Sequence, residues 1–326
     1  MPLPLDRFGS GQREKVRFLL DSVMKGVFTF AGWLAIVFMF LIFFFTFKEA
    51  LPIFTDPEVA KEANLHGFFV ASQPSEDLAG RYVWQPTSDI PKVSFIPIIL
   101  GTLKATIVGL LFACPIAVAA ALFSSEFAPP KMREIIKPVI ELLAGIPSVV
   151  LGFFALIVLA TWLQNVFNFT YRLNAWNAGL ALGIALLPII FSISEDGLAA
   201  VPKAFREASL AVGATRFQTA WKVVLPAASP AIFASFVLAF GRAIGETMIL
   251  LMAGGNAALT SFSLADPLRT LSATIAAELG EVVFGSAHYS ALFFMGTLLF
   301  VITFISNTVG QIIIRKMQRR MQGETR

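Results

Sequence analysis

At 326 residues the chain is 56% hydrophobic and only 14% charged, with a mean hydropathy of +0.76 and a formal net charge of +4. A soluble domain carries about 25% charged residues, and a soluble fold of this size keeps too much surface wet to hide so much apolar side chain, so lipid is the expected solvent. The single cysteine, Cys114, excludes an internal disulfide or a multi-cysteine metal site, His66 and His288 are too few for most histidine metal centres, and the small positive balance matters through where its residues lie, not as a sign of nucleic acid.

A bilayer core takes about 20 apolar residues of helix, and six segments meet that requirement: 26–47, 95–123, 139–163, 177–198, 229–253 and 288–314. The basic stretch 1–25 precedes the first of them. That first segment is too long for a signal peptide, and Phe47-Lys48-Glu49-Ala50 offers no small-x-small cleavage site, so 26–47 is read as a retained anchor. The 48–94 loop is rich in Pro52, Pro57, Pro74, Pro86 and Pro91, and either packs as a small cap or simply connects. Pro147 and Pro188 are expected to kink spans three and four, with Ser148 available to bond a freed carbonyl. Glu141 near Lys137, and Glu195-Asp196 at the end of span four, are expected in ion pairs or helix contacts at one membrane face.

Lys and Arg in the connections set the orientation. The segments 1–25, 124–138, 199–228 and 315–326 hold five, three, four and five, against four, one and one in 48–94, 164–176 and 254–287. Both termini are therefore expected in the cytoplasm. The acids Glu49, Asp56, Glu58, Glu62, Glu76, Asp77 and Asp89 suit export of the 48–94 loop.

The 199–228 connection has helical periodicity. Val201, Ala204, Phe205, Ala208, Leu210 and Ala211 favour one side, Gly213 permits a sharp turn, and Phe217, Ala220 and Trp221 mark a second short helix before Pro226. Such a hairpin suits either the headgroup layer or the groove of a partner. Within it, Glu207-Ala208-Ser209, then Gly213, then nine residues, then Val223-Val224-Leu225-Pro226 resembles the EAA loop of ABC-importer permeases, with Ser209 for the second Ala and Val223 for Ile. The resemblance implies that Glu207, Ala208, Gly213, Leu225 and Pro226 couple the chain to a separate ATP-binding subunit. No Gly-Lys pair, and so no GxxxxGK[ST] phosphate loop, occurs in the sequence; nor does GxSxG or HExxH. The chain is thus expected to be no enzyme and to hold no cofactor, with ATP and Mg on partner subunits.

Charges inside the spans are costly and point to function. Arg242 and Glu246 lie four apart in the fifth span and are expected to share a helix face and neutralise each other. Gly241 and Gly245 allow close helix approach. Lys104 in span two reaches a comparable depth. Together these three leave one positive charge, which favours an anion, and Thr102, Thr106 and Thr247 add hydroxyls. A buried ion pair that only fixes helix register is the alternative.

Gly241-Arg242-Ala243-Ile244-Gly245-Glu246-Thr247-Met248, and Ile140 through Val150, resemble segments of the phosphate importer permeases of the PstC type. Pro97 to Leu103 and Val301 to Ile305 add to the likeness, which covers the chain from about residue 95 onward. It implies an all-α integral membrane protein of six transmembrane helices: the anchor plus a MetI-like five-helix core over 95–314, with a tail at 315–326. It further implies a substrate pathway through Arg242 and Glu246, with Thr247 and Lys104 as further candidates. Lys104 stands where an uncharged residue is expected, and its stem would let it snorkel outward. The implied setting is the bacterial inner membrane, with membrane lipid, a PstA-like permease, a PstB-like ATPase dimer and a PstS-like external phosphate-binding protein as partners, and alternating access as the mechanism. A permease for sulfate or molybdate, an ion-coupled secondary transporter and an intramembrane enzyme remain as other readings.

Overall fold

The computed structural model describes residues 10–70, 82–88 and 90–321, in two units, Met1–Glu49 and Ala50–Arg326. Pro74, Glu76, Asp77 and Asp89 of the 48–94 loop lie outside the described residues. The described residues of the first unit form one helix, α1, which runs Ser10–Ala50 and so begins well before the predicted anchor and ends just past it. Thr29 and Thr46 donate their hydroxyls to the carbonyls four residues back, at 2.7 Å each, which removes two polar groups from an otherwise apolar surface.

The second unit opens with three short helices, α2 (Pro52–Thr55), α3 (Pro57–Glu62) and α4 (Leu65–Phe69). Asp56 and Asn64 cap α3 and α4 through the Glu58 and Gly67 amides. A two-residue antiparallel ladder follows, β1 (Trp84–Gln85) on β2 (Lys92–Val93). The segment is a cap, not a bare connector: Phe68 stacks on Phe95 at 4.2 Å and on Phe294 at 5.3 Å, with Trp84 5.6 Å from Phe95. These rings supply the apolar core that holds so short a set of elements together.

Span two is α5 (Ile96–Leu122), extended by a π-turn over Phe123–Phe127. The third span departs from prediction. Residues Pro130–Ala144 form a separate amphipathic helix, α6, with no buried residue, and the span begins only at α7 (Ser148–Phe154), continuing through a π-turn, Ala155–Leu159, into α8 (Ala160–Phe167). Pro147, at φ −57° and ψ 137°, is the reason: a proline disfavours helix in the residue before it, here Ile146, and cannot donate to the ladder. The averaged hydropathy of 139–163 hid that break. Glu141 is accordingly an exposed residue of α6 and makes no ion pair with Lys137.

Span four is α9 (Ala175–Ala199), capped by Asn174 on the Asn177 amide at 3.0 Å and continuous through Pro188. It is the centre of the core. Leu182, Leu186, Ile190, Phe191 and Leu198 are buried among Ala105, Ala113 and Ala117 of α5 and alanines that follow in the chain. The α5–α9 approach is close because small residues face each other; a Cβ on Gly179 would overlap the side chain of Val108. Gly179→Val is therefore expected to force these spans apart at about 1–3 kcal/mol. A lowered unfolding temperature in detergent checks this, and an unchanged one would show that the contact yields.

The chain then forms α10 (Lys203–Ala211), α11 (Arg216–Thr219), a π-turn over Ala220–Val224, and α12 (Leu225–Ala227). The fifth span is α13 (Ser229–Gly245) and α14 (Met248–Ala253), two helices where the sequence suggested one over 229–253. After α15 (Leu271–Glu278), the last span, α16 (Ala287–Met321), carries Arg315, Lys316 and Arg319 of the predicted tail as helix. Among the described residues five helices are long and apolar enough to cross a membrane, and a sixth span arises if the bent pair Arg216–Ala227 and Ser229–Gly245 counts as one.

Candidate functional site: a surface hairpin and a broken fifth span

The 199–228 segment is a helical hairpin, as its periodicity indicates. α10 ends at Ala211, Gly213 turns the chain at φ +86°, and Thr215 opens α11 with a capping box shared with Gln218. The left-handed turn costs a residue with a Cβ roughly 1–2 kcal/mol, which is why glycine belongs there. A π-turn then precedes Pro226, which cannot donate a backbone hydrogen bond.

The hairpin's apolar side points away from the protein. Phe205, Leu210, Val212, Phe217 and Trp221 are all large and exposed, Val212 at 86%. Glu207, Ala208 and Gly213 lie exposed with them, whereas Leu225 packs against the core and Pro226 stands at the bend into the fifth span. Thr219, Ala220 and Val224 are buried beneath, and the Ser209 and Thr219 hydroxyls meet at 3.0 Å. Exposed rings on a shelf that also holds a carboxylate are the marks of an interface.

The same helix run continues into the membrane. It bends by 63° at Ala228 and becomes α13. Arg242 sits about 20 Å along α13, at 1.5 Å per residue. Its side chain is exposed and has no hydrogen bond or ion pair with any described residue.

The expected Arg242–Glu246 pair does not form. α13 ends at Gly245, and Glu246 turns to φ −66° and ψ 129°, so the two side chains no longer share a helix face. The Ser272 hydroxyl donates to the Glu246 carbonyl at 2.6 Å, and the Glu246 carboxylate faces the Ile249 amide at 3.5 Å, near the start of α14. Thr247 lies in the break, its hydroxyl 3.3 Å from the Gly245 carbonyl. A guanidinium with no partner among the described residues is available to another chain, to water or to a passing anion.

Lys104 neither snorkels nor joins Arg242 in the described contacts. It is 8% exposed and donates to the carbonyls of Ser261 and Ser263, at 3.0 and 2.7 Å, which ties α5 to the segment after α14. Thr102 is similarly engaged, accepting from the Leu271 amide at 3.0 Å, and Thr106 is buried.

Two ionic clusters bracket the spans. At the hairpin end, Glu195 of α9 accepts from Arg133 and Lys137 of α6, and Asp196 accepts from Lys137 at 2.6 Å. The Asp196 hydrogen bond is the main reason that the Lys137 ammonium is held above its ordinary value, despite some desolvation. At the opposite end, Glu278 accepts from Arg269 at 2.5 Å, faces His288 at 2.8 Å, and receives the Trp84 indole N–H at 3.1 Å, beside a cavity of about 530 Å³. Burial pushes the Glu278 carboxyl up, but His288, Arg269 and Trp84 together outweigh it and hold the group below its ordinary value. Sequence reading missed this cluster because Trp84 and Glu278 are 194 residues apart.

The sign of that shift makes a prediction. A depressed carboxylate stabilises the fold fully above its unfolded value of 4.5 and loses that contribution as pH falls through the lower folded value. Acid should therefore loosen the joint between the 82–94 cap, α15 and α16, and Glu278→Gln should weaken the fold near neutrality while flattening its loss in acid. Thermal unfolding from pH 7 to 3 measures both, and a parallel pH profile in the variant would exclude the assignment.

A helical bundle with long apolar spans, an exposed helical hairpin and, among the described residues, an unpaired cation in a broken span has the build of a membrane permease. Residues 113–322 match the family described as binding-protein-dependent transport system inner membrane component. The chain is 40% identical over 223 residues to the probable ABC transporter permease protein YqgH of Bacillus subtilis, covering 68% of this chain and 72% of that one. It is 34% identical over 256 residues to the phosphate transport system permease protein PstC of Mesorhizobium japonicum, covering 73% and 77%. Among solved structures, an inward-facing MetNI methionine ABC transporter shares the fold, with a TM-score of 0.51 at 18% identity over 68% of this chain and 94% of that one.

The chain belongs to the family of inner-membrane components of binding-protein-dependent transport systems. It is a multi-pass inner-membrane permease subunit with the MetI-like fold, not an enzyme, and it works with other ABC components, ATP hydrolysis residing in separate subunits.

Proposed function

We propose that this chain is the permease subunit of an ATP-driven importer of inorganic phosphate. The observation that carries the reading is a helix run with an exposed hairpin at one end and, towards the other, a guanidinium with no partner among the described residues. The hairpin, through Glu207, Ala208 and Gly213 on its exposed side and Leu225 and Pro226 at its root, docks on a PstB-like ATPase dimer that holds ATP and Mg. The name of the PstC relatives supports phosphate, and so does the planar fork of Arg242, which suits a tetrahedral oxyanion.

In this reading both termini and the 199–228 hairpin face the cytoplasm. A PstA-like permease completes the pathway, and a PstS-like binding protein delivers phosphate outside. Nucleotide-driven closure of the ATPases tilts α11 to α13 about the bend at Ala228. That motion carries Arg242, with Thr247 and Glu246 beside it at the break, between two facings of the site. Lys104 holds the segment after α14 against α5, and so shapes the wall of the pathway.

Co-reconstitution with the partner permease and ATPase subunits in proteoliposomes tests the assignment. Labelled phosphate should accumulate only with ATP and the binding protein, and excess sulfate or molybdate should not compete. Competition by either would reassign the substrate. Nucleotide-independent phosphate movement by this chain alone would overturn the mechanism.

A further inference from the structure

One side chain of the hairpin turns inward. Arg206 of α10 is 21% exposed and Glu126, in the π-turn that ends span two, 11%. The guanidinium Nε faces both Glu126 oxygens at 3.2 and 3.1 Å, and Nη2 donates to Oε1 at 2.7 Å. The same group reaches span four. Nη2 donates to the Leu198 carbonyl at 2.9 Å and Nη1 to the Val201 carbonyl at 2.5 Å. Ser125 adds a hydroxyl to Glu126 at 3.3 Å.

These bonds tie three elements at one point: the first helix of the hairpin, the end of span two and the end of span four. Among the described residues no other ion pair joins α10 to a span. A guanidinium is suited to this because its planar fork donates in several fixed directions at once. The joint also satisfies the Val201 carbonyl just beyond the end of α9, and adds a charged donor to the Leu198 carbonyl, which the Val201 amide already meets at 3.3 Å. A charge-assisted, bidentate contact is stiffer than the apolar packing around it. Displacement of α10 therefore moves the ends of both spans together, instead of being absorbed by the short link between α9 and α10.

We infer that Arg206, locked to Glu126 and to the Leu198 and Val201 carbonyls, is a positioning residue that transmits movement of the hairpin to spans two and four during transport. The inference rests on the proposed docking of the hairpin on an ATPase subunit. Arg206 itself does not touch the substrate. Its role is to make the hairpin and two spans one mechanical body.

Arg206→Lys keeps the charge but gathers its donors on one nitrogen and loses the fork that meets Glu126 and the two carbonyls from three, and Glu126→Gln keeps the shape but removes the charge. In the reconstituted complex, each is expected to lower phosphate moved per ATP hydrolysed by at least about fivefold, the low end of measured coupling between sites. The ATPase subunit should still co-purify and hydrolyse ATP. The double variant should fall no further than the worse single, because both changes break one joint. Wild-type stoichiometry in either single overturns the inference, as does additive loss in the double. Loss of the ATPase subunit from either single also overturns it, since the pair would then only hold the hairpin's shape. Gly213→Trp in the same preparation separates the two levels: if it too leaves stoichiometry and binding untouched, hairpin docking itself has failed.

Discussion

Arg242→Ala is expected to abolish ATP-driven phosphate uptake while the complex still assembles. The side chain makes no hydrogen bond or ion pair among the described residues and is exposed, so truncation leaves no described buried partner unsatisfied and opens no cavity. What it removes is the cation that offsets the cost of bringing an anion out of water. A hydrogen bond to a charged group contributes about 1.5–3 kcal/mol, and two such bonds from one fork make a loss of about 10² in uptake the least expected. Arg242→Lys restores charge without the fork and should recover only part of the rate. Initial rates of labelled phosphate uptake at matched complex content measure this. Normal uptake by the alanine variant would remove Arg242 from the pathway.

The second large effect is expected at Gly213. A Cβ there meets nothing within 4 Å, so the isolated chain has room for a large side chain, yet φ is +86°. Gly213→Ala therefore tests backbone strain alone, at roughly 1–2 kcal/mol. Gly213→Trp adds bulk to a surface that, in the proposed complex, lies against the ATPase subunit. Alanine should leave coupling near wild type, and tryptophan should uncouple ATP hydrolysis from phosphate movement about tenfold or more, within the range of inter-site coupling energies. Equal behaviour of the two variants would mean that no partner covers the turn.

Both predictions started from patterns legible in the chain. The hairpin was readable because helix period, a turn glycine and fixed gaps to Leu225-Pro226 are all local. The candidate cation was readable because charge in an apolar span is rare. The partner assigned to it was not. The spacing of Arg242 and Glu246 implies a shared face only if the helix continues, and here the chain leaves α13 at Glu246, with the Ser272 hydroxyl, far along the sequence, on its carbonyl. Likewise 139–163 read as one span because hydropathy averages over Pro147. Lys104 looked like a pathway charge because its acceptors, the carbonyls of Ser261 and Ser263, carry no side-chain signature.

The amino-acid order alone determined that this is a helical membrane protein, roughly where it crosses, and which loop bears the helical hairpin, since each follows from composition or periodicity within one segment. Only the folded chain decided where the third and fifth spans break, that Arg242 has no counter-charge among the described residues, and that Arg206 meets Glu126 across 80 residues and Trp84 meets Glu278 across 194. Those outcomes depend on which backbone carbonyls and carboxylates are brought within hydrogen-bonding reach by packing, and distance in space is not written in any single stretch of sequence.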